Sequence, residues 1–210
     1  MKNKIIDIIR NNKRWIISFI CLIIFIAVLE DVFDNEITNF DTVIFNTIRS
    51  IRTDVVTNMF KVITEFGSAF VLILITVLSL LVLKNKKIGI MIAFNLTTVG
   101  IMNQVLKHII QRPRPIENRL IEQGGYSFPS GHSMASMAFY GLIIYFIFKN
   151  VKDKRIRNTL CILLSILIVL IGASRIYLGV HYASDVIAGF VISIAYLSVF
   201  TAIVPKLMEK

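Results

Sequence analysis

The sequence has little of the chemistry that many folds and cofactor sites are built from. It holds two cysteines, Cys21 and Cys161. Each stands alone in an apolar stretch with no CxxC and no partner spacing, so they read as small hydrophobes. Acidic residues are scarce, 13 Asp and Glu against 23 Lys and Arg, and they form no cluster that would hold a divalent cation. There is no internal repeat and no low-complexity tract. No small-x-small cleavage site follows the first apolar run, only Leu29-Glu30-Asp31. That run therefore reads as an uncleaved helix and not a signal peptide.

What is present is apolar length. Of 210 residues, 56% are hydrophobic, and the mean hydropathy is +0.75. This excess over a soluble domain points to a bilayer. Segments free of charge run over Trp15–Leu29, Phe66–Leu83, Ile88–Leu106, Ser133–Phe148, Asn158–Ser174 and Val186–Pro205. A spanning helix needs about 20 residues, so the first is extended by Glu30–Phe33 and the fourth by Ser130–His132. The expectation is an all-α membrane protein, six transmembrane helices in one bundle, forming a single domain over residues 1–210. The net charge of +10 invites a nucleic-acid reading. The charges, however, sit in short segments between apolar runs, so the expected partner is the lipid bilayer and no nucleic acid.

Orientation follows from the basic residues. The N-terminus, residues 84–87, residues 149–157 and the C-terminus carry 15 Lys and Arg; the other connections carry 8. Acidic residues run the other way, 3 against 10. The positive-inside rule then places both termini in the cytoplasm. The first outer connection has apolar residues Phe40, Ile44, Ile48, Ile51, Val55, Met59 and Ile63 at helical spacing. That predicts an amphipathic helical stripe broken near Arg52–Asp54, lying on the outer leaflet or packed over the bundle. The third span carries Asn95, Thr97, Thr98, Asn103 and Gln104, which should face protein and not lipid.

Three polar clusters fall at the outer face in this topology: Lys107 through Arg114-Pro115, Pro129-Ser130-Gly131-His132, and Ser174-Arg175 with His181 and Asp185. His181 and Asp185, four apart at a helix start, lie on one face. A carboxylate there holds the ring tautomer and leaves the other nitrogen's lone pair free, as a histidine nucleophile requires. Ser130 and Gly131 at a helix N-terminus offer amides to an anion, and His132 beside them can pass a proton to a leaving alkoxide. Lys107, Arg114 and Arg175 supply cations suited to phosphoryl oxygens. Each has a plain structural explanation when taken alone: an interfacial histidine, a serine N-cap, snorkelling side chains. Together the three motifs fix eleven identities in order, which chance does not supply. His108 belongs to none of them and reads as interfacial. His132, His181 and Asp185 could in principle ligate a metal, but three cations around the same spot repel one, so no cofactor and no metal are expected.

These motifs resemble those of the type 2 phosphatidic acid phosphatase family, which shares its active-site pattern with vanadium haloperoxidases. Every motif position matches, over a core from Lys107 to Asp185. The resemblance implies a metal-independent lipid phosphatase at the extracytoplasmic face of the cell membrane. Lys107, Arg114, Arg175, Ser130 and Gly131 would bind phosphate. His181 would form a phosphohistidine, oriented by Asp185, with His132 as proton donor. The substrate class is a membrane lipid phosphate: phosphatidic acid, phosphatidylglycerol phosphate or undecaprenyl pyrophosphate. A lipid phosphotransferase using the same site is the alternative within enzymes. A non-catalytic anion or lipid transporter is the alternative outside them, disfavoured because no ionisable residue lies mid-membrane.

Overall fold

The computed structural model describes residues 2–209, which form helices and connecting segments with no strand among them. The helices are α1 (Lys2–Phe33), α2 (Thr38–Arg49), α3 (Asp54–Glu65), α4 (Ala69–Val82), α5 (Lys86–Ile110), α6 (Gly131–Asn150), α7 (Lys154–Tyr177) and α8 (Ala183–Glu209). Five of them are long and apolar enough to cross a bilayer: α1 from Asn12, α5, α6, α7, and α8 to Val204. The second expected span behaves differently. α4 has only 14 residues and is bent 45° from α3 at the Phe66–Ser68 break, so a sixth crossing exists only if α3 and α4 count as one broken span. The break has a local cause: the Ser68 hydroxyl accepts from Val71 N and starts a new helix.

α1 packs along α8, α6 sits between α7 and α8, α5 joins α4 to α6, and α3 crosses α7. Leu72, Phe139, Leu142 and Ile171 form one fully buried core; Val99, Phe128, Met134 and Ala138 form another. The outer surfaces of α1, α4 and α7 remain apolar, with Phe19, Leu81 and Val169 all exposed, as lipid contact requires.

The outer connection is helical and breaks just before Asp54, close to where the sequence predicts. On α2 the inward residues are Asp41, Ile44 and Ile48; on α3 they are Val56, Phe60, Ile63 and Thr64. Of the predicted stripe, Phe40, Ile51, Val55 and Met59 are exposed. The break at residues 50–53 resets the helical phase, and Thr53 caps α3 by accepting from Val56 N. On α5 the polar expectation holds in part. Asn95 donates to the Ala138 carbonyl at 2.9 Å and Asn103 to the Pro129 carbonyl at 3.0 Å, both buried. Thr97 and Gln104 are exposed, because they line a groove described below.

Candidate active site

The site gathers where α5 ends and where α6 and α8 begin. α5 stops at Gln111, which takes a left-handed conformation (φ 53°) and donates to the Lys107 carbonyl, and Pro113 cannot continue the helix. Lys107, in that last turn, donates to the Tyr126 carbonyl at 2.7 Å. α6 opens on Ser130, fully buried, whose hydroxyl accepts from Ser133 N and Ser133 Oγ. As first residues of the helix, Gly131 and His132 have amides with no intrahelical acceptor. A Cβ at Gly131 would meet Asn103 Oδ1 at 2.9 Å, so a larger residue there would have to displace that buried amide.

His181 lies in the short segment between α7 and α8, not on the helix itself as the four-residue spacing suggested. Gly179, at φ 73°, turns the chain there against the Asn118 carbonyl, where a Cβ would come within 2.8 Å. Asp185 is the third residue of α8, and its Oδ2 reaches back to Tyr182 N at 2.9 Å, one half of a capping box. The same oxygen lies 3.3 Å from His181 Nδ1 and accepts from Ser127 Oγ. On the other side of the ring, Arg114 Nη1 stands 2.9 Å from His181 Nε2. A guanidinium only donates, so Nε2 must be the acceptor and the proton sits on Nδ1, facing Asp185. Burial pushes His181 down to about 3, against the raising effect of its hydrogen bond to Asp185, with Arg114 and Arg175 lowering it further. The imidazole is therefore neutral at physiological pH.

The cations are held differently from one another. Arg114 is anchored by the Gly124, Gly125 and Val180 carbonyls at 3.1, 3.0 and 2.8 Å. Burial lowers its pKa, partly countered by Asp185. Arg175, 1% exposed, donates to Thr64 Oγ1 and Gln123 Oε1 at 2.8 Å each, while its Nε is buried with no partner. That uncommitted donor suits an anion. A cavity of about 720 Å³ is lined by Lys107, Arg114, Gly131, His132 and His181. Ser130, Arg175 and Asp185 are not part of its lining. A second cavity, of about 270 Å³, reaches His181 and Tyr182 between α2 and residues 115–118. His108 is exposed and bonds the Gln104 carbonyl. Among the described residues no group of three or more His, Cys, Asp or Glu side chains is arranged to hold a metal ion.

Sequence reasoning passed over several partners. Ser127, Gln123 and Thr64 hold Asp185 and Arg175. Arg112 bonds Asp41, Ser184 and Asp185. For Arg112 the signal was its place within the Gln-Arg-Pro-Arg run; for Asp41 nothing local set it apart.

An all-helical membrane protein with two histidines and fixed cations lining one cavity is thus the class that fold and site define. The chain belongs to the PAP2 superfamily, whose model matches residues 88–209. It is 36% identical over 132 residues to phosphatidylglycerophosphatase B of Bacillus subtilis, covering 61% of this chain and 65% of that protein. It is 26% identical to undecaprenyl-diphosphatase of Sulfolobus acidocaldarius, over 90% of this chain and 91% of that one. Its fold matches the crystal structure of a transmembrane PAP2 type phosphatidylglycerolphosphate phosphatase from Bacillus subtilis. The TM-score is 0.83 at 27% identity, covering 90% of this chain and 96% of the other.

Proposed function

We propose that this protein hydrolyses a membrane lipid phosphate, a phosphomonoester or a diphosphate, through a phosphohistidine at His181. The carrying observation is the amphipathic shape of the large cavity. Lys107, Arg114, His132 and His181 line its polar end, and Leu72, Ile73, Leu96 and Ile101 line the rest. From Lys107 to Leu96 along α5 is about 16 Å at 1.5 Å per residue, well into the hydrocarbon slab. A headgroup can sit among the cations while its tail stays in the groove between α4 and α5. The names of the relatives, a phosphatidylglycerophosphatase and an undecaprenyl-diphosphatase, agree with this ligand class.

In the first step Arg114 Nη1 turns from His181 Nε2 to a phosphoryl oxygen, the freed Nε2 lone pair attacks phosphorus, and the bond to the lipid oxygen breaks. That oxygen takes the electron pair and a proton from His132, leaving a lipid alcohol or monophosphate. Asp185 steadies the positive charge that develops on the phosphorylated ring. In the second step water attacks phosphorus, His132 takes its proton, and the P–N bond breaks to free inorganic phosphate. The cavity beside α2 gives water a path to His181 apart from the lipid groove. Lys107, Arg114, Arg175 and the amides of Gly131 and His132 meet the charge of the transferring group, the main stabilising effect in such reactions. Ser130 acts by setting those amides. The charge distribution supports cytoplasmic termini and a site at the extracytoplasmic face.

The test is phosphate release by the purified protein in detergent from phosphatidic acid, phosphatidylglycerol phosphate and undecaprenyl pyrophosphate, alongside His181→Ala. Release by wild type and its loss in the variant are expected. Equal release by both removes His181 from this role.

A further inference from the structure

The catalytic pair is tied to the outer helix α2 by a buried network that the motif residues do not include. Asp41, on α2, is 3% exposed and lies among polar groups of α8 and the α5–α6 connection. Its Oδ1 accepts from Ser184 N at 2.8 Å, and its Oδ2 accepts from Ser184 Oγ at 2.6 Å. A carboxylate from a distant helix thus satisfies a first-turn amide of α8, where it also favours the helix dipole. Arg112 bridges the two acids: Nη2 donates to Asp41 Oδ2 at 2.8 Å, and Nη1 to Asp185 Oδ1 at 2.7 Å and Ser184 Oγ at 2.7 Å. Its guanidinium also stacks 4.1 Å from the Tyr182 ring centroid.

The consequence concerns the two oxygens of Asp185. Arg112 holds Oδ1, so only Oδ2 is left for His181 Nδ1, Ser127 and Tyr182 N. Remove Arg112, and the Oδ1 side of Asp185 is no longer held, leaving the carboxylate fixed through Oδ2 alone. Remove Asp41, and Arg112 loses the acid that aims its fork, while the first turn of α8 loses a cap. Resting on the phosphatase reading above, we propose that Asp41 and Arg112 are positioning residues: α2 fixes the Asp185 carboxylate that orients His181. Neither residue lines the large cavity, so neither reads the lipid.

Two readouts separate positioning from bulk structure. The first is steady-state phosphate release by Asp41→Asn in detergent. kcat should fall about 10- to 100-fold, the range for losing an outer partner of a catalytic group, with KM within about 3-fold. The second is a double-mutant cycle. In an Asp185→Asn background, Asp41→Asn should cost less than about 3-fold more, because its effect passes through Asp185. Arg112→Lys, which keeps the charge but loses the fork, should recover part of the loss seen in Arg112→Gln. If Asp41→Asn does not fold, the Arg112 pair carries the same cycle. An active wild type with unchanged kcat in these variants, or losses fully additive with Asp185→Asn, overturns the proposal. A wild type that releases no phosphate, or His181→Ala that matches it, overturns the phosphatase reading instead.

Discussion

Filling the groove at Gly100 should separate lipid recognition from chemistry. Gly100 lies on α5, exposed, lining the large cavity, and a Cβ there meets nothing within 4 Å. It is seven residues before Lys107, about 10 Å down the helix, so its substitution leaves the cations and histidines in place. Gly100→Phe puts a ring where the tail of a long-chain substrate would run. The tail is already out of water in the bilayer, so no transfer energy is at stake and the cost is steric. Overpacking costs about 1–3 kcal/mol, which corresponds to roughly a 5- to 150-fold loss in kcat/KM. A short-chain, water-soluble phosphatidic acid ends above the ring and should be hydrolysed as by wild type. The helix itself should gain about 0.5 kcal/mol from losing the glycine. The assay is phosphate release from long- and short-chain substrates in one detergent, with thermal unfolding measured beside it. Equal losses on both substrates, or none on the long one, would refute the assignment of the groove to the tail.

Asp185→Asn should lower kcat roughly 10³-fold, since an amide neither holds the His181 tautomer nor steadies the charged ring; single-turnover kinetics check it. Arg114→Lys loses the guanidinium whose Nη1 serves the Val180 carbonyl and His181 Nε2 and whose Nε serves the Gly124 and Gly125 carbonyls, so kcat/KM should drop roughly 100-fold and unfolding stability by about 2 kcal/mol. Acid should destabilise the fold through His181, held neutral at about 3 when folded and near 6.5 when unfolded. Its contribution is complete above that unfolded value and shrinks as pH falls. Between pH 7 and pH 5 the loss is about 2 kcal/mol, measured by unfolding in mixed micelles and absent in His181→Gln. Treatment with a strong chelator should leave phosphate release unchanged if, as proposed, the charge that a metal would meet is met by Lys107, Arg114 and Arg175.

How much of this was readable from the chain depended on how local the cause was. The long spans were legible because charge is excluded over a bilayer's thickness, and the caps at Ser130 and Asp185 sit next to the residues they organise. The α3–α4 break falls at the start of the expected second span, where Gly67-Ser68 is a fair helix-start signal; the 45° bend was not legible. The stripe across residues 40–63 divides between residues packed on the bundle and exposed ones, because a pattern of threes and fours carries no information about phase once the helix stops. Thr97 and Gln104 were read as inward-facing by a rule that knows protein and lipid but no groove between them. Asp41 was illegible for a different reason. Its meaning lies in Ser184 and Arg112, 143 and 71 residues away, and on its own helix it is one acid among polar neighbours. The motif residues converge, but what holds them converged had to be seen in three dimensions.

The nucleophile itself can be caught. Wild-type protein mixed with a labelled lipid phosphate and quenched in alkali within a turnover should carry the phosphoryl group on His181, as a linkage stable to base and labile to acid. Label recovered on another residue, or rapid turnover with no covalent species and undiminished release by His181→Ala, would contradict the account.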